Sequence, residues 1–199
     1  TRLSIHSKIV LRMTGVLLIA GTALFYLFEI HHVIRDMPVE KQVLISLFQS
    51  VTARTAGFNT VDIGQVTNAT ILLFMVLMFI GASPGSTGGG IKTSTIAVAV
   101  LHIISLAKGK TRLEIFKREI STISINRAFA IIFLSIFAIL ISVFLISLFD
   151  SEKGLTDITF ECVSAYSTVG LSRGITADLS SSSKFVLILT RSEERRVGK

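Results

Sequence analysis

Apolar residues fall along this chain in runs of two lengths, separated by polar punctuation. Ile9–Phe28 is an apolar run whose only charge, Arg12, lies near its start, and Ala128–Phe149 carries no charge at all. Each holds about 20 residues, enough for one helical crossing of a hydrocarbon core about 30 Å thick. A soluble-core helix is a poor alternative for the second run, because nothing else in the chain is soluble enough to bury it. Lys41–Ala53 and Leu155–Ala165 are shorter, of mixed polarity, and hold about three helical turns. They are too short to span and read as re-entrant helices. Each runs directly into a glycine-bearing polar stretch, Thr55–Asn59 and Thr168–Ser172. Backbone that leaves helix at membrane depth has to be buried in protein or line water.

Ala69–Ala107 is apolar at both ends and polar in the middle. As one helix it would be about 58 Å long, about twice the hydrocarbon core. Ser83-Pro84-Gly85-Ser86-Thr87-Gly88-Gly89-Gly90 interrupts it with a proline, glycines and hydroxyls, a composition that breaks helix. The pattern predicts two helical halves, Ala69–Ala82 and Ile91–Ala107, joined by a loop inside the membrane. Charge decides how often this broken segment crosses. Arg2, Lys8 and Arg12 surround the start of the first run, and Lys108, Lys110, Arg112, Lys117, Arg118 and Arg127 follow the broken one. The positive-inside rule places both clusters in the cytoplasm, so the broken segment crosses once. Glu29–Val66 and Asp150–Ser183 then fall outside. The basic, amphipathic stretch Thr111–Ser124 is expected to be an interfacial helix.

Composition agrees with the pattern. Of 199 residues, 50% are hydrophobic and 17% charged, with a mean hydropathy of +0.71. A soluble enzyme domain and a disordered chain are both excluded by these values. A disulfide scaffold is excluded because Cys162 is the only cysteine. The net charge of +7 fits cationic residues at the inner membrane face better than nucleic-acid binding. The chain opens on Thr1 without a signal-peptide pattern and is read as a membrane-embedded piece of a longer protein.

An internal repeat runs at an offset of 113 residues. Thr55-Ala56-Gly57-Phe58-Asn59 falls on Thr168-Val169-Gly170-Leu171-Ser172, and Ile71–Val76 falls on Lys184–Leu189. Ala128–Phe149 covers the first run with a shift of a few residues. Each half therefore reads span, re-entrant helix, glycine loop, span. One such unit cannot satisfy its own loop carbonyls, whereas several around an axis can turn them toward a shared ion.

Three motifs carry candidate chemistry. Thr168-Val169-Gly170 matches the Thr-Val-Gly of potassium-channel filters, and glycine permits the positive φ that lets successive carbonyls face one way. Alone it is an ordinary turn; repeated as Thr55-Ala56-Gly57 after a matching re-entrant helix, it is specific. The short helices also aim partial negative charge toward the membrane centre, which favours a cation. Gly85 to Thr93 fails as a phosphate loop, because Ile91 intrudes between Gly90 and Lys92 and no strand precedes it. Gly81-Ala82-Ser83-Pro84-Gly85 matches G-x-S-x-G and opens an alternative, an intramembrane serine protease with His102 as base. A second alternative is a non-transporting membrane scaffold. Lys92 is ionisable at membrane depth, placed either to obstruct a cation or to snorkel to the interface. Arg54 and Glu161 lie beside the two glycine loops and are expected to brace them in a polar network.

Taken in order, Thr52-Ala53-Arg54-Thr55-Ala56-Gly57-Phe58-Asn59-Thr60, Gly81 to Thr93 and Ser167-Thr168-Val169-Gly170-Leu171-Ser172 resemble the Trk/Ktr/HKT superfamily of potassium uptake proteins, the bacterial Ktr membrane subunit above all. The resemblance covers about residues 1–190. It implies an all-α integral membrane protein of the bacterial inner membrane, potassium-channel-like, built from span–re-entrant pore helix–span repeats around one pore. This chain resembles the third and fourth repeats, with the second helix of the third broken. On that reading 1–107 is the third-type repeat, 108–127 a basic cytoplasmic linker, 128–190 an incomplete fourth-type repeat and 191–199 a non-native tail. Thr55–Asn59 and Thr168–Ser172 become a selectivity filter for K⁺, with Na⁺ as a further transported or coupling ion, and Ser83–Gly90 with Lys92 becomes a gating loop beneath it. No cofactor and no enzyme activity are implied. The implied partners are the lipid bilayer, the first and second repeats of the same subunit, a second subunit in a homodimer, and a cytosolic nucleotide-binding regulatory subunit. No nucleic acid is among them.

Overall fold

The computed structural model describes residues 5–86, 88–109, 114–115 and 118–197. Its helices, in chain order, are α1 (Ile5–Glu29), α2 (Val39–Thr52), α3 (Asn68–Phe79), α4 (Thr93–Ala107), α5 (Thr122–Phe149), α6 (Leu155–Tyr166) and α7 (Ser181–Val197). A two-residue antiparallel ladder, β1 (Glu114–Ile115) against β2 (Arg118–Glu119), separates α4 from α5.

The long apolar runs form α1 and α5, which are long and apolar enough to cross a bilayer. The 69–107 segment breaks as its composition requires. α3 starts on Thr67, whose hydroxyl accepts from the Thr70 N–H, and ends at Phe79. The chain resumes helix only at Thr93. Between them Ile80 and Ile91 pair as a parallel bridge, and the Ala82 N–H donates to Gly89 O. Gly81 is required there, since a Cβ would overlap Gly89 O.

One expectation needs correction. The stretch 111–124 is not one interfacial helix: 114–115 and 118–119 pair as strands, and α5 begins at Thr122 because the Ser121 hydroxyl caps it by accepting from the Ser124 N–H. Residues 110–113 and 116–117 of that stretch lie outside the described residues. The last helix, α7, runs past 190 into the tail, through Val197.

α1 packs on α2, α3 and α4, and α5 packs on α4, α6 and α7; contact of α3 with α6 and of α4 with α5 joins the halves. The core includes Phe25, Phe74, Met78, Phe160 and Tyr166, all buried. Phe25 and Phe74 stack at 5.7 Å, a pairing worth about 0.5–1.5 kcal/mol beyond burial.

On α2, and in part on α5, polar side chains face inward and large apolar ones outward. α2 buries Gln42, Ser46, Gln49, Ser50 and Thr52, and exposes Val43, Leu44, Leu47 and Phe48. α5 buries Ser135 and Ser142 and exposes Phe133, Phe137, Leu140 and Phe144. In water such faces drive association. In hydrocarbon, or against further apolar helices, they are the correct outer surface, and the inward hydroxyls bond to helix carbonyls and to one another. The Tyr166 hydroxyl donates to Ser135 Oγ at 2.6 Å, and the Ser142 and Thr190 hydroxyls lie 2.6 Å apart.

Candidate functional site

The C-termini of α2 and α6 deliver the chain into two loops of matching backbone. Thr55 and Gly57 have φ of 81° and 75°; 113 residues on, Thr168 and Gly170 have φ of 53° and 89°. A threonine in the left-handed region costs about 1–3 kcal/mol, so the surroundings must hold it there. Hydroxyls buried behind each loop contribute. Thr52 Oγ1 donates to Phe58 O at 2.7 Å and accepts from the Phe58 N–H at 2.9 Å. The Ser164 hydroxyl donates to Leu171 O at 2.6 Å.

The two loops meet. A Cβ built on Gly57 would overlap Val169 O and come within 3.7 Å of the Gly170 Cα. The polar loop between α3 and α4 touches both. A Cβ on Gly88 would lie 2.5 Å from Thr55 Oγ1, and one on Gly89 would overlap Thr168 Oγ1. The Gly89 N–H donates to Thr168 Oγ1 at 3.1 Å, and the Lys92 ammonium donates to Gly88 O. Lys92 therefore turns back onto the loop that precedes it. Ser83, Pro84, Gly85 and Ser86 form the outer turn, closed by the Ser86 N–H and hydroxyl on Ser83 O at 3.2 and 2.7 Å. Thr87 lies outside the described residues.

The two residues expected to brace the loops behave differently. Glu161 is buried, and its carboxylate accepts from the Ser172 hydroxyl at 2.7 Å, the Arg173 N–H at 3.0 Å and the Thr176 hydroxyl at 2.7 Å. It fixes the segment after Gly170. Arg54 is half-buried, and its Nε has no hydrogen-bond partner among the described residues. Asn59 and Phe58 are exposed, whereas Leu171, the counterpart of Phe58, is buried. His102, the base of the protease alternative, packs its ring edge-on to Phe129 at 5.9 Å.

A second pair of carboxylates had no place in the sequence reading. Glu29, at the end of α1, is fully buried and accepts from the Thr67 N–H at 2.8 Å, the Thr67 hydroxyl at 2.9 Å and the Thr70 hydroxyl. Asp150, after α5, accepts from the Ser180 N–H at 3.2 Å and its hydroxyl at 2.9 Å. Hydrogen bonds from Ser183 and Ser180, with Lys153 nearby, hold the Asp150 carboxyl below its ordinary range. Each acid ties the end of a long helix to the start of the helix after the glycine loop. The signal was available: Thr67 and Thr70 fall on Ser180 and Ser183 at the same 113-residue offset.

Comparison with known proteins places this arrangement. Residues 3–192 match TrkH, described as a cation transport protein. The Ktr system potassium uptake protein B of Vibrio alginolyticus is 42% identical over 190 residues, covering 94% of this chain and 41% of that protein. The potassium/sodium uptake protein NtpJ of Enterococcus hirae is 35% identical over 94% of this chain and 42% of its own length. The crystal structure of the potassium transporter TrkH from Vibrio parahaemolyticus superposes with a TM-score of 0.77 at 18% identity, over 94% of this chain and 42% of that one, which shows a shared fold. This chain thus spans about two-fifths of the length of the relatives it matches. The family consists of membrane transporters rather than enzymes, which removes the protease alternative. On a match that takes in most of its residues, the chain belongs to the TrkH family of cation transport proteins.

Proposed function

We propose that this chain forms part of a potassium-selective pathway across the bacterial inner membrane, as a multi-pass segment made of two pore repeats. The observation that carries the reading is the meeting of two positive-φ loops, Gly57 against Val169, with Gly88 and Gly89 packed against Thr55 and Thr168. Backbone carbonyls of Thr55–Gly57 and Thr168–Gly170 would replace part of the ion's hydration shell. Phe58 O and Leu171 O already take a hydroxyl each, so coordination falls mainly to the carbonyls before them. The relatives named as potassium or potassium/sodium uptake proteins support K⁺ as cargo, with Na⁺ as a second ion. No covalent step is needed.

The loop from Ser83 to Gly90, with Lys92, acts as the gate. Its seat against the filter loops rests on the Gly89 N–H to Thr168 bond, while the Lys92 bond to Gly88 O stays inside the gating segment and holds its shape. The seat is a single hydrogen bond, worth about 0.5–1.5 kcal/mol net, which suits a contact that must break and re-form. Two repeats supply half a coordinating ring. The remaining repeats of the subunit complete it, two subunits associate as a homodimer, and a cytosolic nucleotide-binding subunit regulates them; the Ktr system names of the relatives support an assembly of this kind.

The test uses the full-length subunit in a cell lacking potassium uptake. Wild-type protein restores growth at low potassium, and Gly57→Ala or Gly170→Ala loses discrimination between K⁺ and Na⁺ in flux measurements. Unchanged selectivity in both well-folded variants sinks the filter assignment.

A further inference from the structure

Between α1, α4 and α5 lies a cavity of about 410 Å³, away from the glycine loops. Its walls are of two kinds. Ile9, Val98 and Ile131 are apolar, whereas Thr95 and Ser124 present hydroxyls and Arg127 a guanidinium; among the described residues no acidic side chain lines it. Arg127 is exposed and makes no ion pair among the described residues. The cavity sits at one end of the two long apolar helices: Ile9 is in the second turn of α1, and Ser124 and Arg127 are in the first two turns of α5. Lys8 and Arg12 of α1 belong to the same end.

A cleft that is apolar within, cationic at its rim and open where two membrane-length helices begin has the chemistry of an anionic amphiphile's site. Basic pockets between transmembrane helices at the cytoplasmic face hold lipid head groups in this way. We infer that this cavity binds one anionic phospholipid, its phosphodiester on Arg127 and Ser124 and an acyl chain along Ile9, Val98 and Ile131. The inference rests on the orientation proposed above, which puts this end at the cytoplasmic leaflet. Charge complementarity selects the occupant: a zwitterionic lipid brings its own ammonium to an already cationic rim. Thr95 and Ile131 also line the small cleft beside Gly90 and Lys92, so the bound lipid lies next to the base of the intramembrane loop.

The experiment counts lipid rather than ions. Full-length subunit is reconstituted in nanodiscs of phosphatidylcholine doped with phosphatidylglycerol, released into detergent, and its retained lipid is measured by native mass spectrometry. Wild type retains phosphatidylglycerol over phosphatidylcholine. Arg127→Gln retains it about fivefold less well, the effect of one basic contact near an anionic group, and Arg127→Lys keeps most of it. Ile131→Trp, which fills the apolar arm and leaves the charge in place, lowers retention as well and serves if Arg127→Gln does not fold. Equal retention by wild type and both lowering variants overturns the proposal; another protein segment filling the cavity would give that result. Equal retention of the two lipids, or displacement by inorganic phosphate, also overturns it. Flux is no part of the readout, so failure of the potassium reading and failure of this one are told apart.

Discussion

Gly57 and Gly170 occupy the same place in their loops but differ in what surrounds them. Both need positive φ, which costs a residue with a Cβ about 1–2 kcal/mol. Gly57 additionally has Val169 O in the space a Cβ would take, whereas Gly170 has nothing within 4 Å. Gly57→Ala is therefore expected to harm K⁺/Na⁺ selectivity more than Gly170→Ala, and paired flux assays on the full-length subunit measure the difference. Glu161 offers a second contrast. Glu161→Gln keeps the size but replaces one acceptor oxygen with a donor, facing two hydroxyls and an N–H. A loss of about 1–3 kcal/mol in stability is expected, with altered selectivity, read by thermal melting in detergent and by flux. The glycine loops stood out because polar, glycine-bearing stretches follow short helices twice at one offset, and Glu161 because an acid is rare at membrane depth. Glu29 was not, because an acid at the end of an apolar run reads as the first residue of a loop; only its burial and its donors on Thr67 and Thr70 reveal it as a buried anchor.

At the scale of elements, hydrophobic pattern located the helices well wherever the solvent on the outer face is uniform. α1, α2, α5 and α6 lie within a few residues of the runs that predicted them, except that α5 starts six residues early on its Ser121 cap. The linker failed because its cationic, apolar-spaced pattern suits an interfacial helix and says nothing about a short strand pairing. The break between α3 and α4 was legible by composition, but the seat of the intervening loop on Thr168 was not, since that contact joins residues 79 apart. Gly89→Ala tests the seat: the methyl group would overlap Thr168 Oγ1 and Ser167 O would crowd it, so the loop cannot dock. Raised K⁺ flux is expected in proteoliposomes, as it is for deletion of Ser86–Gly89. A further prediction concerns α7. Because the folded carboxyl of Asp150 lies below its unfolded value, the cap it places on Ser180 stabilises fully above the ordinary carboxylate range. That stabilisation fades as pH falls through the depressed value. Melting temperature should drop on acidification in wild type and less steeply in Asp150→Asn.

Across the whole molecule, several surfaces call for neighbours. Phe58 is 71% exposed where Leu171 is 1% exposed, α2 turns an apolar face outward, and Arg54 Nε is buried without a partner among the described residues. Further repeats packed on this side would cover all three. We accordingly expect purified 199-residue chain in liposomes to pass no K⁺, and conduction by it alone would refute the half-pore reading. The broken segment carries a last consequence. α3 ends at Phe79 and α4 begins at Thr93, and the chain between them is closed on itself by Ala82 to Gly89 and Phe79 to Ile91 contacts. Under the gating proposal, a flap tied across its own base in this manner would swing without melting a turn of helix on either flank, so opening would need no refolding and the walls of the conduit would stay standing while the door moves.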